Sequence, residues 1–177
     1  MIFQPLETKR LLLKNICKED THFMLKQFSD PTINQYLFDA EPLKTKEDAM
    51  HLIDFYINQA NSFFHRYILI LKSTGEKIGT CGFHAYQAKE HSIEIGYDLQ
   101  KSHWHQGYMY EAIDAMLKYI INDLKIRTIH ACIYIDNLAS KRLVERFSFS
   151  QTKAIDLDFR DKKYRHHIYT LKTPATF

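Results

Sequence analysis

Apolar and polar positions along this chain follow two periods, and the switches between them mark out its elements. Alternation, or a short unbroken apolar run, signals a strand; recurrence at three and four residues signals a helix. A first strand is predicted over Glu7–Lys14 (ETKRLLLK), then a helix over Lys18–Phe28 closed by Ser29-Asp30-Pro31. Thr45 is a good N-cap with Asp48 three residues on, and Ala49, Leu52, Ile53, Tyr56, Ile57 and Ala60 recur behind it at helical spacing. Arg66–Lys72 (RYILILK) alternates so little that both of its faces should be buried. After the turn Ser73-Thr74-Gly75-Glu76, Lys77–Tyr86 and His91–Leu99 read as a hairpin. A helix over Tyr110–Leu124 carries the stripe Ile113, Leu117, Ile120, Ile121 and Leu124, with Lys118 and Asp123 facing away. Thr128–Ile135 (TIHACIYI) places Ile129, Ala131, Ile133 and Ile135 on one face, and Asp136-Asn137 ends it. A short helix over Ala139–Arg146 precedes a closing hairpin, Phe147–Phe159 and Tyr164–Leu171.

The order β, α, α, β, β, β, α, β, α, β, β implies an α/β (α+β) chain in which helices pack on a mixed sheet. Helices and strands alternate too irregularly for a doubly wound fold. No repeat, low-complexity stretch or long linker interrupts the pattern, so residues 1–177 are expected to form one domain.

Composition narrows the function classes. With 45% apolar and 14% aromatic residues the chain can bury a real core, which argues against disorder. A net charge of +3 is modest, and no nucleic-acid partner is expected. The densest basic run, Arg160 to His167, reads as a solvated turn, with an acidic or nucleic-acid partner as the alternative. Cys17, Cys81 and Cys132 are odd in number and lack metal-ligand spacing, which fits reduced thiols in a cytoplasmic protein. The start Met1-Ile2-Phe3-Gln4-Pro5 has no signal-peptide pattern. The longest clean apolar run, Tyr67–Leu71, is far short of the roughly 20 residues that span a bilayer, so no membrane is expected.

Chemistry concentrates in Glu94–Ala112. It reads as a strand, a loop around Gly107, and the start of an amphipathic helix. A helix start leaves its first N–H groups unpaired and carries partial positive charge, so such a segment is a ready phosphate cradle. A nucleotide kinase is disfavoured, because no Lys-Ser/Thr pair follows Gly107. Ser140 and the histidines lack the G-x-S-x-G elbow of a hydrolase. His103-x-His105 and His166-His167 have no acidic or Cys partner at convincing spacing, so no metal is expected.

Four motifs together carry a resemblance. Leu6-Glu7-Thr8-Lys9-Arg10-Leu11-Leu12-Leu13 with Glu19-Asp20 is similar to an "lETeRLlLR…eD" start. Ile78-Gly79-Thr80-Cys81-Gly82-Phe83 is similar to "iGtigl", and Glu94–Ala112 to "EIGYwL.p.yWGkGyatEA". Asn137–Phe149 is similar to "NxxSxrvleKlGF". In this order and spacing, across nearly the whole chain, they resemble the GNAT superfamily of acetyl-CoA-dependent N-acetyltransferases. Within it they look closest to the branch that includes the ribosomal-protein N-terminal (Rim-type) acetyltransferases. The pyrophosphate loop Trp104-His105-Gln106-Gly107-Tyr108-Met109 departs from the Q/R-x-x-G-x-G/A pattern. His105 and Met109 stand where smaller residues are usual, so their side chains must turn away from the phosphates. Ser148 replaces the glycine of "GF".

The resemblance implies a GNAT-type mixed, mostly antiparallel twisted sheet of about seven strands with helices on both faces. It implies acetyl-CoA as cosubstrate and transfer of its acetyl group to a primary amine by direct attack in a ternary complex. The acceptor would be a peptide N-terminus or a small amine; a homodimer is left open. Tyr97, Asp98 and Leu99 would pair their backbone with the pantetheine arm, and a backbone N–H of Tyr97 or Asp98 would polarise the thioester carbonyl. His105, Gln106, Gly107, Tyr108, Met109 and Tyr110 would cradle the phosphates. Asn137 would bond the pantetheine; its bland alternative is a helix N-cap. In many members a Tyr in the helix after the Asn is the acid, and here that place is Val144. Ser140 is the substitute acid, or merely decorates the helix start. Glu94 is the candidate base, or a structural carboxylate, with His84 and Tyr97 as weaker options. The alternative function is a non-catalytic acyl-CoA-binding or sensing module; a ribosome-associated binding protein is a third.

Overall fold

The computed structural model describes residues 3–58 and 63–173. Met1, Ile2 and Ala60, the last apolar position of the second predicted helix, lie outside the described residues. Eight strands are formed: β1 (Leu6–Glu7), β2 (Leu11–Asn15), β3 (His65–Leu71), β4 (Lys77–Gln87), β5 (Ser92–Leu99), β6 (Thr128–Tyr134), β7 (Ser150–Phe159) and β8 (Lys162–Lys172). The helices are α1 (Thr21–Ser29), α2 (Pro31–Asn34), α3 (Lys46–Asn58), α4 (Tyr108–Asn122) and α5 (Leu138–Glu145). One sheet orders the strands β1-β2-β3-β4-β5-β6-β8-β7. Every neighbouring pair is antiparallel except β5 and β6.

The mixed sheet matches the sequence expectation; the eighth strand comes from the first predicted one. Glu7–Lys14 is not continuous but breaks between Glu7 and Leu11, because Thr8 and Arg10 turn to bond Glu111 of α4. α2 is new: Pro31 does not merely close α1 but stands in the first turn of a further helix, whose N-cap Asp30 accepts from the Thr32 N–H. Thr45 and Asp48 form a reciprocal cap. The Thr45 hydroxyl accepts from the Asp48 N–H at 3.1 Å, and the Asp48 carboxylate accepts from the Thr45 N–H at 2.9 Å.

Two apolar clusters cover the two sheet faces. On one, α4 sets Met109, Ala112, Ile113, Met116, Leu117 and Ile120 against Tyr67, Leu69, Ile93, Ile95, Ile129 and Ala131. On the other, α1 and α3 set Phe23, Met24, Ala49, Ile53 and Tyr56 against Ile16 and Ile68. Adjacent β3 residues Tyr67 and Ile68 thus belong to opposite clusters, which is why that strand shows no alternation. Asp20, fully buried under the start of α1, takes ion pairs from Lys14 and Lys77 at 2.6 Å each and the Cys17 N–H at 2.9 Å. Burial opposes its charged form, but these bonds prevail and hold its carboxyl below the usual range.

Candidate active site

The parallel pair at the centre of the sheet makes the site. β5 and β6 pair over only three rungs, Ser92–Thr128, Ile93–Ile129 and Glu94–His130. Beyond Glu94, β5 runs on to Leu99 and β6 to Tyr134 without further pairing, although β5 keeps its ladder with β4 as far as Leu99. The two strands therefore part like a wedge with Glu94 and His130 at its apex. Backbone groups of β5 that point towards β6 beyond the apex are left for another partner.

At the mouth of the wedge lies the loop into α4. Gly107 is the N-cap of α4 at φ 78, the left-handed region that glycine enters without penalty. That cap explains why the helix starts at Tyr108 rather than at Tyr110. None of the six N–H groups from His105 to Tyr110 has a hydrogen-bond partner among the described residues. They form the donor set a pyrophosphate needs, with the helix dipole behind it. Of the two bulky replacements, Met109 is buried in the core under α4, and His105 is exposed at positive φ.

The loop is held from below by the opening motif. Glu111 accepts from the Thr8 hydroxyl at 2.5 Å, the Arg10 N–H at 2.8 Å and the Arg10 Nε at 2.6 Å. Arg10 also donates to the Gln106 carbonyl at 2.9 Å and lies over the Tyr108 ring at 4.3 Å. Burial works against the Glu111 charge, but the hydrogen bonds from Thr8 and Arg10 outweigh it and keep the carboxyl below its ordinary range. Trp104 ties the loop to β5 by donating its indole N–H to the Leu99 carbonyl at 2.7 Å. The Leu99 carbonyl, expected to face a cofactor, therefore already serves the loop.

Tyr97 and Asp98 also use their side chains. The Tyr97 hydroxyl crosses under the wedge to the Ser140 carbonyl at 3.2 Å, and burial pushes its phenol up so that it stays protonated. Asp98 points to the other face, where Arg66 Nη1 lies 3.1 Å from it and Gln27 Nε2 donates at 2.6 Å. The Thr80 hydroxyl also donates to Asp98 while accepting from Arg66 Nη1 at 2.7 Å, and Arg66 Nε donates to the Tyr56 oxygen at 2.8 Å. This buried cluster ties β3, β4 and β5 to α1 and α3. Gly79 belongs to the same junction, since a Cβ there would lie 2.3 Å from the Asp98 carbonyl oxygen. Sequence reasoning named Asp98 for its backbone and missed Arg66, Thr80 and Gln27. The lone charge leading an apolar strand at Arg66 was the available signal.

Asn137 caps α5, its Oδ1 accepting from the Ser140 N–H at 3.1 Å. The cap is therefore Asn137 and not Ser140, whose hydroxyl has no hydrogen bond among the described residues. Val144 is fully buried under α5. Glu94 stands on the face opposite α4 with its side chain 30% exposed, 3.5 Å from His84 Nε2. Cys132 and Tyr134 follow His130 along the same face of β6. Burial, then the Glu94 and Asp39 carboxylates, push the Cys132 thiol up to about 12, which keeps it protonated.

The far wall of this face is aromatic. Phe38, in the segment after α2, stacks on Tyr164 at 3.9 Å and packs on Tyr134 at 4.7 Å, while Tyr36 stacks on Tyr134 at 5.8 Å. The segment is also tied to the turn between β7 and β8 by the Glu41–Arg160 pair. No grouping of His, Cys, Asp and Glu suited to a metal ion occurs among the described residues. No helix among them is long and apolar enough to cross a membrane.

The geometry meets independent comparisons. The family model "Acetyltransferase (GNAT) domain" matches residues 10–150. Over 167 residues the chain is 31% identical to the uncharacterized N-acetyltransferase p20 of Bacillus licheniformis, covering 92% of this chain and 90% of that one. It is 32% identical over 151 residues to the uncharacterized N-acetyltransferase YoaA of Bacillus subtilis, covering 85% of each. In fold it is similar to a GNAT-family acetyltransferase of Bacillus anthracis, with TM-score 0.83, 22% identity and 96% and 98% coverage. It is likewise similar to RimL, a ribosomal-protein alpha-N-acetyltransferase solved in complex with coenzyme A, with TM-score 0.86, 16% identity and the same coverage. A wedge with free N–H donors at its mouth, a family model over most of the chain and N-acetyltransferase relatives along its length agree: the chain belongs to the GNAT family of acetyltransferases and is an acyltransferase.

Proposed function

We propose that this enzyme uses acetyl-CoA and transfers its acetyl group to a primary amine by direct attack in a ternary complex. The observation that carries the reading is the wedge. It begins at six unpartnered N–H groups, runs along the unpaired edge of β5 and ends at Glu94. The residues fit the cosubstrate. His105 to Tyr110 offer backbone donors to a pyrophosphate, and the β6-facing groups of Tyr97 offer the pantetheine amides a strand to pair with, whereas those of Asp98, one residue on, face β4. The backbone N–H of Tyr97, and not that of Asp98, which is turned to β4, polarises the carbonyl under attack. Asn137 keeps its side-chain NH2 for the arm, since its Oδ1 is engaged in the cap.

Glu94 supplies negative charge at the apex. It draws in the acceptor as an ammonium ion, whose proton must leave before the nitrogen can attack, either through Glu94 or through a neighbouring imidazole. The freed amine forms the C–N bond, the C–S bond breaks, and the departing sulfur takes a proton from the attacking nitrogen or from Ser140. The acceptor approaches Glu94 over the sheet face opposite α4, along the wall formed by Tyr134, Phe38 and Tyr164. A peptide N-terminus is the favoured acceptor, in keeping with the RimL fold, and a small amine is the second; another fold neighbour is a spermidine N-acetyltransferase chimera.

Thiol release from acetyl-CoA, followed against peptides with free N-terminal Ser or Ala and against short polyamines, tests the reading. Amine-dependent release is expected. Tight coenzyme A binding without release on any of these amines would instead describe an acyl-CoA sensor.

A further inference from the structure

His130 is the other residue at the apex, and it was not among the sequence candidates. It faces Glu94 across the last β5–β6 rung, on the same sheet face, opposite α4. Its ring is oriented by a chain of hydroxyls on the next two strands. His130 Nδ1 lies 2.9 Å from the Thr170 Oγ1 of β8, which lies 2.9 Å from the Thr152 Oγ1 of β7, which is 3.1 Å from the Ile168 carbonyl.

Three contacts share two hydroxyl protons, so the proton pattern can be worked out. The Ile168 carbonyl can only accept, so Thr152 donates to it. Thr170 then donates to Thr152, and its oxygen must accept from His130. Only a proton on Nδ1 satisfies all three contacts; any other arrangement leaves two acceptors face to face. The neutral ring therefore carries its lone pair on Nε2. That nitrogen makes no hydrogen bond among the described residues and is not a buried atom without a partner.

We infer that His130 takes the proton from the acceptor ammonium on Nε2, while Glu94 holds the ammonium and then stabilises the imidazolium. The inference rests on the N-acetyltransfer reading and names the base within that site. The N–H bond of the ammonium breaks and a bond to Nε2 forms. The amine lone pair so released attacks the acyl carbon. The imidazolium then returns its proton to solvent, as the second amine proton accompanies the departing sulfur.

Two further arguments favour His130 over its neighbours. An imidazole, with an ordinary pKa near about 6.5, is better matched to an ammonium than a carboxylate near about 4.3. His84 sits on β4, one strand farther from the wedge, and its Nε2 is already directed at Glu94. The charges around the ring are mixed. Burial lowers its pKa most, Lys153 and Lys172 act the same way, and Glu94 and Glu90 oppose them. The ring is thus neutral, and able to accept, at neutral pH.

The test has two readouts. In the free protein, 15N NMR of the histidine ring should find Nδ1 protonated and Nε2 bare at neutral pH. Thr170→Val, which removes the oxygen that accepts from Nδ1, should mix the tautomers. With whichever amine of the peptide and polyamine panel is turned over, His130→Gln should lower kcat by about 100-fold and remove the acid limb of its pH profile. Thr170→Val should lower kcat by about tenfold with KM for acetyl-CoA unchanged. An Nε2–H tautomer, or an unaltered pH profile in His130→Gln, would overturn the inference. Failure of every amine would count against the N-acetyltransfer reading, and the NMR readout would still decide the tautomer.

Discussion

The two sides of the wedge are built differently. The side we propose for the cofactor is a continuous piece of chain, β5 through α4, locked by charged contacts from one remote motif around Thr8 and Arg10. The side we propose for the acceptor is assembled from β4, β6, β7, β8 and the segment after α2, and its wall is aromatic rings and histidines. A cofactor shared by many enzymes is met by backbone N–H groups, which depend on chain path more than on side chains. An acceptor is met by side chains, which can change without disturbing the path.

The contrast can be broken first at the junction beneath it. Asp98→Ala leaves Arg66 buried without its partner and should cost about 3–5 kcal/mol of stability by denaturant titration. Replacing both residues by apolar ones of similar size should recover most of that loss. If Asp98→Ala unfolds no more readily than the parent, the cluster does not tie the sheet to α1 and α3.

Glu94→Gln comes next. It keeps shape and removes charge, and should lower kcat by about 100-fold, or about 2.7 kcal/mol of barrier, with acetyl-CoA binding intact. A parallel loss of cofactor affinity would mean that Glu94 belongs to the cofactor side.

A third prediction separates the sides by pH. Glu111 has its folded pKa depressed, so its contribution is fully present above the ordinary glutamate value near about 4.3 and is lost as pH falls through the depressed one. Glu111→Gln should remove that part of the acid instability and raise KM for acetyl-CoA about tenfold by loosening the loop that begins at Gln106. An unchanged KM would show that the loop holds its path without the clamp.

A smaller effect is expected at Ser148, held at φ 64 after α5. A side chain in that region costs about 1–2 kcal/mol, partly offset by the freer unfolded chain that glycine would bring. Ser148→Gly should therefore raise the melting midpoint by about 1–2 °C. At the exposed Glu41–Arg160 pair on the acceptor side, Arg160→Ala should leave the midpoint unmoved.

The same contrast explains what the sequence disclosed. β5, the Gly107 loop and α4 were legible because period, glycine and helix stripe lie in one stretch. Glu7–Lys14 was misread as one strand because the pull of Glu111 on Thr8 and Arg10 comes from about a hundred residues away and leaves no local mark. His130 looked like an ordinary outward position of an alternating strand. The role inferred for it depends on Thr170 and Thr152, whose register with β6 is set by tertiary pairing. Pro31 was read as a stop although proline also opens helices, and only the Asp30 cap tells the two apart.

The central claim is that the wedge carries an acetyl group from acetyl-CoA to an amine at its apex. Simultaneous measurement of thiol release and of the acetylated amine by mass spectrometry tests it most directly. The account predicts one N-acetylated product per thiol released, and about 100-fold less of both in Glu94→Gln. Coenzyme A binding with neither product for any peptide or polyamine, or thiol release without an acetylated amine, would contradict it.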